Sequence, residues 1–386
     1  MPVVVVTGAR QTGKSTLVRY LLDERTYLTL DDLEILDRAE REPDALVSQH
    51  HPVTLDEVQR SPNLLVAIKR AVDEHRAPGR FVLTGSADLL LMKQVSESLA
   101  GRAVHFTLGP MTRRERLGLG TCGPWSTMFQ SRPEEWRDVL AAEEAPRDDW
   151  LELARIGGFP TPGVELVDAE ARSLWFAGYV RTYLDRDLRE LSVVQSLVDF
   201  RRLMAAVCLR LGNVVNMTEI GRDVGTPQTT VRRHLDLLEV SYQLVRVPAY
   251  AVNRTKRLIK SPKLYWSDVA LAMHLSGETE PRGAHLENLV LADLLAWRGA
   301  LAAPPQVLYW RTTTGEEVDF VVEWGGRVFP IEIKSTRRPR LADAKSLALF
   351  RREYGERAGP ALLVHTGDEL SWLAEGILAC PLWKVI

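Results

Sequence analysis

The chain has 386 residues, of which 45% are hydrophobic and 26% are charged. These proportions exclude collagen-like, disordered and coiled-coil chains, and the length allows two to four domains. The formal net charge of −2 is unevenly spread: residues 181–275 carry 15 Lys or Arg and 9 Asp or Glu, so a polyanionic partner is expected to bind there first.

The 3 cysteines lie far apart and form no CxxC pair, which argues against a disulfide framework or a cysteine zinc site. No apolar run approaches ~20 residues, so no membrane-spanning helix and no membrane partner are predicted. The first residues, MPVVVVTGARQ, have no basic leader, so no signal peptide is predicted. We therefore expect a cytoplasmic protein.

In the first part of the chain, short β-rich runs alternate with helical patterns. The predicted strands are residues 3–6, 27–30, 53–55 and 81–83, and the predicted helices are residues 15–22 and 64–75. Continuous apolar strands separated by helices indicate a parallel sheet that is covered on both faces. Residues 121–149 are rich in Gly, Pro and acids, which predicts an irregular or inserted stretch in a helical region.

From residue 151 to 211 the pattern is helical, with Gly157-Gly158-Phe159-Pro160 as a break. Residues 219–224 and 228–238, separated by Gly225-Thr226-Pro227, have the layout of a helix-turn-helix. Two strand-like runs at 244–250 and 264–265 follow, and together with the helix pair they suggest a winged helix. The last block, with a helix at 284–297 and strands at 307–311, 318–323, 328–333 and 361–365, indicates a separate α/β unit.

Residues 8–15, GARQTGKS, match GxxxxGK[ST], follow a run of four valines and open a helix, as a phosphate-binding loop requires. Backbone N–H groups and the helix N-terminus would face phosphate oxygens. Lys14 would reach the β and γ phosphates, and Ser15 would place its hydroxyl on Mg²⁺. The predicted cofactors are ATP and Mg²⁺, and the predicted binding residues are Gly8, Ala9, Arg10, Gln11, Thr12, Gly13, Lys14, Ser15 and Thr16.

Polar residues directly follow the predicted strands at 53–55 and 81–83. Asp56 would hold Mg²⁺, directly or through water, and Glu57 would orient or deprotonate the attacking water. Ser86 or Thr84 would sense the γ-phosphate, although a hydroxyl that satisfies its own turn explains them almost as well.

Several arginines are candidates for an arginine finger that stabilises charge in the transition state. They are Arg102 and the cluster Arg113, Arg114 and Arg116. The alternative for each is a solvated surface charge.

The start of the second helix of the pair, QTTVRRHL at residues 228–235, is where a recognition helix presents side chains to the major groove. Cations at the expected wing, Lys256, Arg257, Lys260 and Lys263, would contact phosphates. Residues 226–263 are therefore the predicted site for double-stranded DNA. The alternative is a protein-docking or purely structural winged helix.

Carboxylates and a lysine are flanked by apolar residues in the last block. Glu332 and Lys334 share one face of a strand, Asp319 lies on the neighbouring run, and Glu287 on a helix could add a third carboxylate. Such a set suits Mg²⁺, with Lys334 as the catalytic partner. The alternative is a surface salt bridge, which the apolar flanks disfavour because buried unpaired charges are costly.

With these motifs, the chain resembles a bacterial and archaeal family of AAA-type P-loop ATPases that carry a C-terminal domain of unassigned function. Besides the loop, the residues that carry the resemblance are Leu55-Asp56-Glu57-Val58-Gln59, Leu83-Thr84-Gly85-Ser86, Leu99-Ala100-Gly101-Arg102, Gly157-Gly158-Phe159-Pro160, Tyr183-Leu184-Asp185-Arg186-Asp187, Lys260-Ser261-Pro262-Lys263-Leu264-Tyr265, Leu286-Glu287-Asn288 and Glu332-Ile333-Lys334. They cover nearly the whole chain in the family's order. The family usually has a helical segment before the first strand, whereas in the sequence given the strand begins at Pro2 or Val3.

The resemblance implies an α/β fold in four parts: a P-loop AAA-type ATPase core at 1–110, a helical lid with an irregular insert at 111–190, a winged helix at 191–280 and a domain similar to PD-(D/E)xK nucleases at 281–386. In that last domain Asp319 falls on the first acid, and Glu332 and Lys334 fall on the ExK pair.

Three functions are consistent with the sequence. The first is a Mg²⁺-dependent ATPase whose motor domain is coupled to DNA. The second is a slow nucleotide-dependent switch or assembly protein that binds protein partners, and the third is a DNA nuclease gated by ATP. Homo-oligomers are also expected, because AAA-type sites are often completed across subunits.

Overall fold

The computed structural model describes residues 1–20, 22, 24–85, 99–120, 122–183, 194, 196–253, 255, 257 and 260–386. The predicted residues Ser86, 184–187 and Lys256 lie outside the described residues. The helices are α1 (Lys14–Tyr20), α2 (Leu33–Arg41), α3 (Pro43–Gln49), α4 (Pro62–Glu74), α5 (Arg113–Arg116), α6 (Trp125–Gln130), α7 (Trp136–Ala141), α8 (Trp150–Ile156), α9 (Ala169–Thr182), α10 (Leu197–Cys208), α11 (Met217–Val224), α12 (Gln228–Val240), α13 (Val269–Ser276), α14 (Gly283–Gly299) and α15 (Lys345–Tyr354).

Within the described residues, the strands form three sheets. They are β1 (Val3–Thr7), β2 (Thr26–Thr29), β3 (Val53–Asp56), β4 (Phe81–Thr84), β5 (Ala103–Thr107), β6 (Leu244–Val247), β7 (Lys263–Trp266), β8 (Gln306–Arg311), β9 (Glu317–Trp324), β10 (Arg327–Lys334), β11 (Ala361–His365), β12 (Ser371–Ala374) and β13 (Ile377–Pro381).

The N-terminal sheet has five parallel strands in the order β2-β3-β4-β1-β5. The predicted parallel sheet is confirmed, and its four predicted strands agree with β1 to β4 within one residue. The edge strand β5 was not predicted, because its side chains are half-buried or exposed and form no continuous apolar run. All five strands run the same way, so the segments that follow β1 and β3 leave the sheet at one edge, on either side of the end of β4.

Two helices and a small sheet occupy the middle of the chain. The side chain of Asn216 caps α11 by accepting the backbone N–H of Glu219 at 3.2 Å. A Cβ on Gly221 would lie 2.5 Å from the carbonyl oxygen of Thr226, so this glycine lets the turn between α11 and α12 pack tightly. Strands β6 and β7 pair antiparallel after the helices. The predicted helix pair and the two strands are therefore present.

Residues 121–149 are more regular than predicted. Helices α6 and α7 lie in this stretch, and Trp125 and Trp136 are almost fully buried. The ring of Phe129 stacks on Phe329 of β10 at 4.7 Å between centroids. The prediction of an irregular stretch is wrong for these two helices, because the Gly and Pro signals outweighed three buried aromatic residues, Trp125, Phe129 and Trp136.

The C-terminal sheet has six strands in the order β12-β13-β11-β10-β9-β8, with parallel pairing in β10-β11-β13 and antiparallel pairing elsewhere. Its inner face shares one apolar core with α6 to α14, whereas the N-terminal sheet has its own core. The middle and last parts of the chain therefore fold around a common interior. No helix in the described ranges is both long and apolar enough to cross a membrane.

Candidate functional site

The loop between β1 and α1 lies at the carboxyl edge of the N-terminal sheet. Gly8 adopts a φ of 141°, and a Cβ there would overlap the carbonyl oxygen of Leu108, so only glycine fits. Gly13 and Gln11 also have positive φ, 93° and 60°. The sequence GARQTGKS thus folds into a tight loop that follows β1 and leads into α1. This is the geometry of a phosphate cradle.

The side chain of Lys14 lies within this loop and is only 7% exposed. Its Nζ donates to the carbonyl oxygens of Gly8 at 3.2 Å and Ala9 at 2.7 Å. Thr12 Oγ1 also donates to Ala9, at 3.0 Å, and fixes the turn. The ammonium therefore already lies inside the cradle, and Ser15 and Thr16 are exposed at the start of α1.

Asp56 ends β3 and is 4% exposed. One carboxylate oxygen accepts the hydroxyl of Tyr27 at 2.6 Å, and the other accepts the hydroxyl of Thr84 at the end of β4. Burial and the neighbouring carboxylate of Asp56 raise the pKa of Tyr27, which keeps its hydroxyl a donor. Thr84, one of the two candidate γ-phosphate sensors, thus contacts Asp56.

Glu57 follows Asp56 in the left-handed region, with φ 57° and ψ 42°. This conformation is costly for a residue with a Cβ and turns the side chain out of the strand direction. Glu57 is half-buried, and its Oε2 accepts the side-chain amide of Gln59. A carboxylate held at this edge of the sheet is suited to orienting a water molecule.

Residues from outside the N-terminal sheet contact the loop. Tyr242, in the turn between α12 and β6, donates its hydroxyl to Thr7 Oγ1 at 2.9 Å, one residue before Gly8. The side chain of Pro160 lies 3.7 Å from the position that a Cβ on Gly13 would take. Tyr242 was not predicted as a site residue. Its positive φ of 59° in the turn after the helix pair is visible only in the structure.

The break Gly157-Gly158-Phe159-Pro160 positions Pro160 beside the loop. A Cβ on Gly158 would overlap the carbonyl oxygen of Met111, and the two backbones are joined by a Met111 N–H to Gly158 carbonyl bond of 2.7 Å. The N–H of Gly158 donates to Asp268 Oδ2 at 2.6 Å. Asp268 also caps α13 through Leu271, so this carboxylate ties the break to the C-terminal half of the chain.

Arg102 does not reach the loop of its own chain. It precedes β5, at the amino edge of the sheet, and forms a bidentate pair with Asp73 at 2.6 and 2.8 Å. Thr7, by contrast, ends β1 at the opposite edge. The structure therefore places Arg102 away from Lys14 and Glu57.

The other three candidate arginines lie on α5. Arg113 and Arg114 are almost fully buried and pair with Asp148 and Glu143, each at 2.7 Å. Arg116 donates to the carbonyl oxygen of Gly157 at 3.3 Å. These contacts join α5 to the stretch before α8 and to the glycine break, so the cluster serves packing in the described structure.

The predicted residues of the last block do come together. The carboxylates of Glu287 on α14 and Asp319 on β9 lie close enough to interact electrostatically, and Glu332 and Lys334 lie on β10, which pairs with β9. Asp319 Oδ2 accepts the backbone N–H of Ile333 at 2.9 Å, and Lys334 Nζ donates to Glu332 Oε1 at 2.6 Å. Burial raises the pKa of both Glu287 and Glu332.

A residue from outside the last block completes this cluster. The Nζ of Lys263, at the start of β7, lies 3.3 Å from Asp319 Oδ1 and 3.8 Å from Glu287 Oε2, and it pairs with Glu317. Lys263 is 1% exposed. The prediction that Lys263 contacts DNA phosphates from a wing is therefore wrong, because its ammonium is buried among carboxylates.

Arg257 is a second wing cation that points inward. It is 7% exposed and pairs with Glu323 of β9 at 2.6 Å. Its predicted phosphate contact is therefore also wrong. It lines a cleft of about 600 Å³ between β6, β8 and α14. Among the predicted DNA contacts, Lys260 is exposed, as are Gln228, Thr229, Arg232 and Arg233 on α12.

Three family models match the chain. An AAA domain matches residues 1–117, a domain of unknown function (DUF8612) matches residues 147–282, and a domain of unknown function (DUF4143) matches residues 282–385. Uncharacterized protein Rv2008c of Mycobacterium tuberculosis and uncharacterized protein Mb2031c of Mycobacterium bovis are each 31% identical over 396 aligned residues, which cover 100% of this chain and 81% of the relative. The chain belongs to this AAA-domain and DUF4143 family.

The AAA-domain match covers all of the N-terminal sheet and the loop at residues 8–15, and this family match indicates an ATP-binding ATPase domain. The resemblance to AAA-type ATPases is confirmed for this part. Protein VC1899 from Vibrio cholerae, a solved structure, is 14% identical, with 98% of this chain and 94% of that chain covered and a TM-score of 0.19. A TM-score of this size carries no information about the arrangement of this chain.

Proposed function

We propose that the chain hydrolyses ATP with Mg²⁺ at residues 8–15, and that the state of this loop is transmitted to the helix pair α11 and α12. The observation that carries the proposal is the hydrogen bond from Tyr242, directly after α12, to Thr7, directly before the loop. A residue in the turn that follows the helix pair thus contacts the last residue of β1, directly before the loop. A change in the loop on binding phosphate would move this contact first.

The residues around the loop fit ATP and Mg²⁺. Lys14 would exchange its two carbonyl partners for phosphate oxygens, which form stronger, charge-assisted hydrogen bonds. Ser15 and Asp56, a hydroxyl and a carboxylate, are the oxygen ligands that Mg²⁺ prefers. Bound Mg²⁺ would neutralise charge on the phosphates. Glu57, fixed by its left-handed backbone, would orient the attacking water and accept its proton.

Two hydrogen-bond donors fix the orientation of the buried Asp56 carboxylate. Tyr27 and Thr84 each donate to one of its oxygens, and each comes from a strand next to β3. A charged carboxylate can hold a cation directly or through water. The proposed Mg²⁺ ligand Asp56 is thus held by Tyr27 and Thr84, two partners that the sequence did not identify.

The test is steady-state ATP hydrolysis and ATP binding with Lys14→Ala. We expect binding to weaken at least about 100-fold, because a charge-assisted contact to phosphate is lost. The matched control is Lys345→Ala, which removes an exposed lysine from α15. Unchanged binding in the Lys14 variant would contradict a nucleotide site at this loop.

A second candidate function, DNA engagement, is favoured by one observation. Arg232 and Arg233, with Gln228 and Thr229, form an exposed polar face at the start of α12, where a recognition helix would read a groove. The buried ion pairs of Arg257 and Lys263 remove two of the expected phosphate contacts. The protein-partner alternative for α12 therefore gains weight relative to DNA.

Hydrolysis measured with and without double-stranded DNA, at two salt concentrations, separates these alternatives. Stimulation by DNA that falls with salt and disappears in the Arg232→Ala, Arg233→Ala double variant supports DNA engagement. A hydrolysis rate that does not change when DNA is added supports the alternative of a nucleotide-dependent switch that binds protein partners. Lys14→Ala is the blank in both cases.

A further inference from the structure

The buried ammonium of Lys263 lies at the centre of the carboxylate cluster in the last block. Asp319, Glu317 and Glu287 surround it, with Asp319 Oδ1 at 3.3 Å and Glu287 Oε2 at 3.8 Å. The ring centroid of Tyr309 lies 5.9 Å from Nζ on another side. One cation is thus enclosed by three acids and an aromatic face, and it is carried by the chain itself.

The remaining carboxylate oxygens are partly engaged. Asp319 Oδ2 accepts the backbone N–H of Ile333, and Glu287 Oε2 accepts the hydroxyl of Tyr265 at 2.8 Å. Oε1 of Glu332 accepts a hydrogen bond from Lys334, whereas Oε2 is buried with no hydrogen-bond partner among the described residues. A metal ion in this cluster would have to share Asp319 with an ammonium 3.3 Å away.

A divalent metal and the ammonium exclude each other here. Metal–oxygen bonds of about 2.0–2.6 Å need carboxylate oxygens that are free to turn towards the ion, and like charges at such separations repel strongly in a buried site. Within the described residues, no group of three or more His, Cys, Asp or Glu side chains is arranged to hold a metal. The residues therefore do not fit the metal that the resemblance to PD-(D/E)xK nucleases implies.

We propose that the Lys263 ammonium is the resident cation of this cluster, in the place of a divalent metal, and that it joins β7 to α14 and β9 as an ionic joint. Lys263 belongs to the small middle sheet, while its acid partners belong to the last block. The cluster then holds two parts of the chain together and does not cut DNA. This disfavours the nuclease alternative, independently of the ATP site.

Removing the ammonium should leave a cluster that takes up a metal. Full-length, nucleotide-free protein is titrated with Mn²⁺, and free Mn²⁺ is followed by electron paramagnetic resonance. We expect no saturable uptake by the wild type up to about 1 mM, and uptake at least about tenfold tighter in Lys263→Met, which keeps the length of the side chain. Adding Asp319→Asn to that variant should abolish the gain.

The matched control is Lys334→Met, which removes the other lysine of the cluster. It should gain no comparable uptake, since Lys263 still fills the centre. A folded Lys263→Met that takes up no Mn²⁺ would overturn the proposal, because the cluster would then not be a cation position.

A second measurement uses the wild type, so the proposal stays testable where Lys263→Met does not fold. Wild-type protein is incubated with plasmid DNA and Mg²⁺ or Mn²⁺, and its Mn²⁺ uptake is compared with that of Asp319→Asn and Glu332→Gln. Absence of cutting and of uptake supports the ionic joint. Cutting, or saturable uptake, that is lost in those two variants would show that a metal is the resident cation.

Discussion

The hydroxyl of Tyr242 donates a 2.9 Å hydrogen bond to Thr7, the last residue of β1, and so links the turn after α12 to the phosphate-binding loop. Tyr242 itself has a φ of 59°, a conformation that costs energy for a residue with a Cβ. The bond and the strained backbone point the ring at the base of the loop. This contact links the second half of the chain to the strand that precedes the proposed nucleotide site.

Removing the Tyr242 hydroxyl should stop the transmission of the state of the loop to α12, while ATP binding stays largely intact. For Tyr242→Phe we expect the affinity for ATP to change by less than about fivefold, the equivalent of one neutral hydrogen bond of about 1 kcal/mol. In the wild type, a non-hydrolysable ATP analogue should alter amide hydrogen exchange in α12, and in the variant that change should disappear. Hydrogen exchange by mass spectrometry measures it.

Tyr20→Phe, on the exposed end of α1, is the matched control and should keep the response. If α12 still responds to the analogue in Tyr242→Phe, the signal takes another route.

The loop and the first sheet could be predicted from the sequence because their signals are local. Four consecutive valines, GARQTGKS and an apolar run ending in Asp56 and Glu57 each specify structure within about ten residues. The distant partners of Asp56 could not be predicted in this way. Tyr27 and Thr84 lie on strands whose pairing with β3 only the folded sheet defines.

Lys263 shows why the wing prediction failed. The charge of a lysine suggests solvent, and its acid partner Asp319 is 56 residues further along the chain. One signal was available: Lys263 and Tyr265 are two apart on a strand and share a face, and the other residues of β7, Leu264 to Trp266, are all apolar or aromatic. A strand buried on both faces places its lysine inside as well.

Glu57→Gln should separate binding from hydrolysis. The amide keeps the shape of the side chain but cannot accept a proton, so turnover should fall by about 10²–10⁴-fold with ATP affinity nearly unchanged. The measurements are single-turnover hydrolysis and equilibrium binding of ATP. Glu74→Gln, at the exposed end of α4, is the control, and normal turnover in the Glu57 variant would exclude it as general base.

Gly158→Ala should destabilise the fold by about 1–3 kcal/mol, because its Cβ would overlap the carbonyl oxygen of Met111 in a closely packed backbone contact. Since Gly158 fixes the segment that carries Pro160 beside Gly13, ATP affinity should fall as well. Chemical denaturation and ATP binding check both effects.

Gly178→Ala provides the opposite case. This glycine lies within α9, and a Cβ there would meet no atom within 4 Å. Alanine should stabilise the helix by about 0.5–1 kcal/mol. Equal losses of stability in the two variants would mean that the overlap at Met111 does not determine the cost at Gly158.

Asp293 should make folding stability depend on pH. Its carboxyl is 4% exposed, accepts Trp125 Nε1–H at 2.6 Å and has a pKa that burial raises to about 7 from the model-peptide value of 3.8. Between these two values the folded chain keeps a proton that the unfolded chain has lost. Stability should therefore fall as the pH rises from about 4 to 7, by up to about 1.4 kcal/mol per pH unit, and no further above that range.

Asp293→Asn should remove this dependence, because the amide stays neutral and its oxygen still accepts the indole N–H. Buried His285, whose pKa is lowered to about 4 by burial, contributes a slope of the opposite sign between its folded value and 6.5 in both proteins. The quantity to measure is therefore the difference in unfolding free energy between wild type and variant at several pH values from 5 to 8. Asp138→Asn, an exposed carboxylate on α7, controls for the loss of one charge. A wild-type minus variant difference that does not change with pH would mean that Asp293 is ionised in the folded protein throughout this range.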